Sequence, residues 1–248
     1  MKKNNSVSDD DQPAIRAPRA VPSLKGVPMA ARVAQRRTLL LDAALEAFGT
    51  RGYHAVTVRE ICAGARLSER YFYESFKSLE ALFSALYLQL NEQLKTATLA
   101  ALMVAQLKTA SGPDRERIDA LARAGLRVLL EFIRDDPRRA RVMLIDAISI
   151  SHGVGRISGQ ITREYAELTQ RFIEQLFPNA DARGIDIGVI ATGLLGANIH
   201  IATQWVRDGF HPSFEVVLRN NLAIYQALSA FWSGLQSLDT AASAKPPV

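Results

Sequence analysis

The chain has little of what secreted proteins and most enzymes rely on. One cysteine, Cys62, among 248 residues excludes a disulfide framework and a cysteine-based metal site. It fits a reducing cytosol, and the expected location is cytoplasmic. Cys62 itself reads as a small buried hydrophobe. No charged segment leading into an apolar run opens the chain, so no secretory signal is expected. There is no H-E-x-x-H, no G-x-S-x-G and no G-x-x-x-x-G-K-[ST]. Gly153-x-Gly155 with Gly159 has the wrong spacing for a dinucleotide loop and reads as a helix break. The four histidines, at 54, 152, 200 and 211, are far apart in sequence. No enzyme activity, no cofactor and no metal are expected. No stretch alternates as a strand does, and no internal repeat is visible.

What the chain does have is helical periodicity and an uneven charge. With 48% hydrophobic residues it can bury a full core. Residues 1–78 hold 13 Lys+Arg and 8 Asp+Glu, while the remaining 170 residues balance at 17 of each. The surplus of +5 therefore lies entirely in the first third, as an electrostatic footprint on phosphate would. Within that third, residues 57–77 read TVREICAGARLSERYFYESFK. Thr57 and Glu60 have the spacing of a capping box, and Val58, Ile61 and Cys62 give an apolar face. After a short turn, Ser68 stands where a second helix begins, with Glu69 in its first turn. Phe72 and Phe76, four apart, share the face that can pack. Arg70, Tyr71 and Tyr73 are left toward the other side. Two short helices at an angle, the second presenting Arg, Tyr and Ser, make a helix-turn-helix that reads DNA.

On these residues the stretch resembles the DNA-binding region of the tetracycline-repressor (TetR) family of bacterial regulators. The matching positions are Gly52-Tyr53-His54-Ala55-Val56-Thr57, Ile61-Cys62, Ser68, Phe72-Tyr73, Phe76-Lys77-Ser78, Glu80 and Leu82. Two positions depart from the family pattern. Arg66 stands where the turn glycine is usual, and Leu79 where a lysine is usual. Either the turn uses Gly64, or Arg66 takes a left-handed conformation and gains a phosphate contact. The resemblance implies an all-α homodimer with an N-terminal three-helix head and a larger helical dimerisation and effector domain. The implied DNA contacts are Arg36, Arg37, Thr57, Arg66, Ser68, Arg70, Tyr71, Tyr73 and Lys77.

Residues 1–30 are polar, hold four of the ten prolines and read as a disordered basic arm. It is either inert or carries Arg16, Arg19 and Lys25 toward the minor groove. A helix spans 31–50, with Arg32, Arg36 and Arg37 at its start, where positive charge opposes the helix dipole; a phosphate backbone crossing this end would explain it. The expected head is 34–94, with its motif at 57–76. A long helix, 78–108, joins it to an effector and dimerisation domain at 95–237, and 238–248 is a frayed tail. Further helices are expected at 114–135, 137–151, 156–177, 181–208 and 212–237, with one break at Pro178-Asn179.

Residues 187–206 carry no charge in twenty positions, long enough to span a bilayer. Thr192, Asn198, His200, Thr203 and Gln204 argue instead for a buried helix and no membrane. Gly193, Gly196 and Ala197 let a second helix approach. With Phe214, Leu218 and Tyr225 of the last helix they form the expected dimer interface. Phe132, Met143, His152, Phe172, Asn198 and Trp205 form the expected pocket for a small apolar effector, with Leu195 and His200 nearby. The sequence reads as a transcriptional regulator, and more as a repressor, on a palindromic double-stranded DNA operator. Two rivals stay open: a DNA-packaging protein indifferent to sequence, and a helical ligand-binding protein whose head is vestigial.

Overall fold

The computed structural model describes residues 28–176 and 184–243. Among them every regular element is helical. The first helix, α1 (Met29–Arg51), turns Leu40, Leu41, Ala44 and Phe48 inward and ends at Gly52, whose φ of 86° suits glycine. A 3-10 turn, Tyr53–Ala55, leads to α2 (Val58–Ala65) and α3 (Glu69–Ser75). The head core gathers Phe48, Ile61, Phe72 and Phe83, all fully buried. Burying a phenylalanine contributes roughly 1.5–3 kcal/mol, so these rings set the angle between the helices. Phe48 meets Tyr53 and Phe83 at centroid distances of 5.6 and 5.4 Å.

Ser78 caps α4 (Leu79–Lys108) by accepting from the Ala81 N–H at 3.1 Å. Its buried ladder Leu82, Leu86, Leu90 and Leu94 runs from the head into the rest of the chain. The body comprises α5 (Asp114–Asp135), the single turn α6 (Pro137–Ala140), a π-helical segment Arg141–Asp146, α7 (His152–Leu176), α8 (Ile187–Arg207) and α9 (Phe214–Ser243). The principal pairings are α4 on α5, α5 on α9 and α7 on α8. The head core continues without a gap into Val142, Met143, Ala147 and Val154. A second cluster joins Leu126, Leu130 and Ile133 to Trp205, Leu218 and Leu222, and a third joins Ile173, Ile187 and Leu194 to Trp232.

Several boundaries differ from the sequence reading. The helix expected at 137–151 is one α turn followed by a π segment, then a turn. Such π segments stay short because their hydrogen-bond geometry is poor. The glycines at 153 and 155 do not break a helix; they lie in the first turns of α7, which begins at His152 rather than 156. Ser151 starts it by accepting from the Val154 N–H and donating to Glu80, and a Cβ at Gly153 would stand 2.9 Å from that carboxylate. Helix α8 begins at Ile187 because the Asp186 carboxylate accepts from the Val189 N–H. Helix α9 runs on to Ser243, past the frayed tail expected from 238. The arm, up to residue 27, and the break at Pro178-Asn179 lie outside the described residues. Helix α8 is long and apolar enough to cross a membrane by length and composition. Here it buries Ile187, Ala191, Leu194, Asn198, Ala202 and Trp205 against its neighbours.

Candidate nucleic-acid interface and effector cavity

The turn between α2 and α3 is built on Arg66. Its φ and ψ of 56° and 40° are left-handed, and its N–H donates to the Ala63 carbonyl, while the Leu67 N–H reaches Cys62 O at 2.9 Å. A non-glycine residue there costs roughly 1–2 kcal/mol. The Gly64 alternative drops out, since Gly64 is helical. The Arg66 side chain stands exposed.

The capping box at Thr57 is complete. The Thr57 N–H donates to Glu60 Oε2 at 2.8 Å, and the Glu60 N–H donates to Thr57 Oγ1 at 3.3 Å. The Thr57 hydroxyl also donates to Glu60, and Arg51 pairs with the same carboxylate. Hydrogen bonds from Arg51 and then Thr57 hold the Glu60 carboxyl down at about 2. Thr57 is therefore committed to capping α2, and its donor is taken. Ser68 shows the reverse: it sits at the start of α3, yet its side chain makes no cap hydrogen bond and stays exposed.

Arg36 is not a loose phosphate ligand. Its guanidinium lies 4.2 Å from the centroid of Tyr71 and 3.5 Å from Glu74, with its side chain only 14% exposed. It ties α1 to the outer face of α3 and fixes the angle at which α3 projects. Arg37 lies 4.4 Å over Phe76 and remains exposed. Arg70 is the most open of these arginines, with its side chain 85% exposed and, among the described residues, one ion pair of 3.3 Å to Glu74. Tyr73, edge-on to Phe72, and Lys77 are exposed on the same short stretch. Among the described residues, Arg37, Arg59, Arg66 and Lys77 of the head have no carboxylate partner, which leaves them for phosphate.

In the body, a cavity of about 320 Å³ lies between α4, α5, α7 and α8. That is at the low end of small-molecule sites, which run from roughly 300 to 1,000 Å³. Of the expected residues it takes Met143, Phe172 and Asn198, with Leu195. Three others lie elsewhere. Trp205 is core, stacked edge-on to Phe210 and donating its indole N–H to Pro212 O at 2.7 Å. Phe132 packs between two clusters under the Arg139 guanidinium. His152 lines a separate surface cleft with Glu80, Arg156 and Arg163. His200 is exposed on α8.

Tyr225, expected at the dimer interface, instead lines the cavity, and Asn198 Nδ2 donates to its hydroxyl at 2.6 Å. Leu218 is fully buried in the chain's own core, and Phe214 is covered by Trp205 and two guanidinium groups. Gly193 and Gly196 are exposed with open space where a Cβ would stand, and Ala197 is half-buried. Among the described side chains of α8 and α9, Val189, Ile224 and Phe231 are large, apolar and exposed. No cluster of three or more His, Cys, Asp or Glu suited to a metal occurs among the described residues.

Residues 40–86 match the model of the tetR family of bacterial regulatory proteins. On that match the head is similar to the DNA-binding domain of the TetR family. Over 201 residues the chain is 22% identical to the HTH-type transcriptional activator FasR of Mycolicibacterium smegmatis, covering 81% of this chain and 83% of that one. Its fold is similar to that of a TetR-family transcriptional regulator from Syntrophomonas wolfei, with a TM-score of 0.64 and 18% identity, covering 79% of this chain and 96% of that one. It is also similar to the transcriptional regulator FadR of Bacillus subtilis in complex with stearoyl-CoA, with a TM-score of 0.58 and 15% identity, covering 76% and 96%. At these identities the structural likeness is one of fold.

Two groups, one in the head and one at the cavity, escaped the sequence reading. Arg59 is exposed in the first turn of α2 beside Thr57, and its position at a helix start was the available signal. On α4, Tyr87, Asn91, Leu94 and Thr98 recur at helical spacing and line one wall of the cavity. That mixed polar and apolar stripe is what distinguishes a lined cavity from a plain core.

Replacing Arg66 with Gly removes both the strain and a charge. Arg66→Gly should stabilise the head by about 1 kcal/mol in urea denaturation. It should also flatten the salt dependence of DNA binding by about 0.9 in log–log slope for each head bound. An unchanged slope would show that Arg66 touches no phosphate. Arg70→Ala should lose discrimination at one base pair per half-site, worth about 1–3 kcal/mol, in a randomised-site selection. Intact preference at every position would assign reading to another residue.

Proposed function

We propose that this protein is a DNA-binding transcriptional regulator that grips a palindromic operator as a homodimer and answers to an apolar effector. The observation that carries the first part is the exposed set on and beside α3: Ser68, Arg70, Tyr73 and Lys77, on a helix held rigidly from behind. A seven-residue helix meets only a few base pairs, so operator affinity needs two heads about one DNA turn apart, roughly 34–36 Å. The head takes residues 34–94 and the effector and dimerisation domain 95–237. The exposed small residues of α8 and the exposed Ile224 and Phe231 of α9 supply the contact between protomers. The protein works in the cytoplasm, with no membrane partner.

The effector reading rests on the apolar cavity and on the complex of FadR with stearoyl-CoA, and it points to a molecule with a long aliphatic chain. We read the protein as a repressor. The relative FasR is named an activator, and transcription in vitro from the protein's own promoter decides the sign.

Signal transfer has a physical route besides the long helix α4. Met143 and Leu144, in the π segment, wall the cavity. In the same segment Arg141 donates to the carbonyls of Thr50 and Arg51, both at 3.2 Å, and Asp146 accepts from the Tyr53 N–H at 3.0 Å. Next to it Arg138 bridges Asp136 and Glu46, two carboxylates that hold its guanidinium firmly charged. A shift in the cavity wall therefore pulls directly on the end of α1.

A carboxylate at residue 196 has room in one protomer but not at an apolar interface. Gly196→Glu should sediment as a monomer and lose operator binding while its helicity is unchanged. A dimeric Gly196→Glu protein would move the interface elsewhere, and a wild type that binds its operator as a monomer would end the scheme. Arg141→Ala should bind operator within about twofold of wild type and bind stearoyl-CoA normally, but release much less DNA when that ligand is added to a shift assay. Full release would leave the signal to α4 alone.

A further inference from the structure

A second concave surface stands apart from the effector cavity. It is a cleft of about 660 Å³ between the start of α4 and the start of α7. Its lining is polar where the cavity is apolar: His152, Arg156, Gln160 and Arg163 come from α7, and Ser84 from α4. One carboxylate, Glu80, also lines it and accepts from the Ser151 hydroxyl at 2.8 Å. That bond places Glu80 at the very start of α7, about one turn before Arg156 and about three before Arg163.

Several arginines of the body are paired, as Arg117 is with Asp114, Arg127 with Glu131 and Arg138 with Asp136. Arg156 and Arg163 are exposed and have no carboxylate partner among the described residues. They stand seven positions apart, nearly two helical turns, and so share one face of α7. Glycine opens that face. No atom lies within 4 Å of where a Cβ at Gly155 would stand, and at Gly159 the nearest is Arg163 Nη1 at 3.7 Å. The Arg163 guanidinium thus folds back one turn along the helix, toward Arg156. Two like charges lining one recess repel each other, and an anion seated between them turns that repulsion into attraction.

We propose that this cleft holds a phosphate group, bound by Arg156 and Arg163. The charge count favours phosphate over carboxylate. Two guanidinium forks match a group carrying about −1.5 to −2 charge on three acceptor oxygens, whereas a carboxylate offers one charge and two oxygens. The volume admits the molecule that bears the phosphate as well as the phosphate itself. That molecule can come from two sources. A smaller cleft of about 250 Å³ shares Ile157 and Gln160 with this one, and Asn91, Ile161 and Tyr165 with the effector cavity. The phosphate is therefore either the headgroup of a ligand whose chain lies in the cavity or part of a separate phosphorylated molecule. Only the first source rests on the reading of the cavity as the effector site.

The test is calorimetric titration of the full-length protein with pyrophosphate, coenzyme A and stearoyl-CoA, with operator binding measured in parallel. Pyrophosphate and coenzyme A should bind wild type, more weakly as salt rises. Arg156→Gln and Arg163→Gln should each weaken both by about tenfold. Both positions are exposed, so the variants should keep wild-type helicity and operator affinity. If the two substitutions also weaken stearoyl-CoA, the phosphate is its headgroup; if they leave stearoyl-CoA bound as before, the cleft serves a separate phosphorylated molecule. Either result upholds the site. Failure of pyrophosphate and coenzyme A to bind wild type, or binding that both substitutions leave unchanged, would overturn the proposal. So would a loss of operator affinity in the two variants, which would make these arginines DNA contacts. A wild type that binds pyrophosphate but not stearoyl-CoA would overturn the effector reading and leave the phosphate site standing.

Discussion

A helix of seven residues does not hold together alone in water. Everything the head offers to DNA therefore depends on α3 being held from behind. Phe72 and Phe76 supply the grip, sunk into a core that Phe48, Ile61 and Phe83 close from α1, α2 and α4. Arg36 adds a second hold from outside by stacking on Tyr71 and pairing with Glu74. With both faces of its first turns constrained, α3 presents Arg70 at a defined angle. The side chain itself stays free, because its only partner is an exposed carboxylate one turn away, a pairing worth little in water.

The same core makes the head and body one mechanical object. Leu82 to Leu94 of α4 carry it downward, and Val142 and Met143 return to it from the body. Two glycines allow the closest contact. At Gly49 any side chain would run into Arg138, and at Gly52 it would run into Arg141 as well as a left-handed φ. These arginines reach the end of α1 only because nothing stands there. The polar bonds across this seam are partly exposed and individually weak. Their value is directional, since they fix where the π segment holds the end of α1.

The cavity obeys a different constraint. Its apolar lining favours any hydrophobic chain, so shape alone discriminates little between chains. What discriminates is charge, because none of the described residues that line it carries one and a buried ion without a counter-charge is strongly disfavoured.

Much of this was legible in the residues alone, wherever the cause was local. The capping box at Thr57, the Ser78 cap, the paired phenylalanines of α3, the span of α5 and the basic head all follow from neighbours a few positions apart, and the structure has each of them. So does the helical class, because no segment alternates as a strand must. The sequence left two options at Arg66, and backbone geometry chose the left-handed one. What local pattern cannot decide is which of two buried apolar residues faces a void and which faces a neighbour. Trp205 reads as a pocket residue and Tyr225 as an interface one; the crossing of α5, α8 and α9 makes the first a packed core residue and the second a cavity wall. Likewise Gly153 and Gly155 look like a break until Glu80, over seventy positions away, occupies the space beside Gly153. Such assignments depend on the distance between helices, and that distance is set by side chains far apart in sequence.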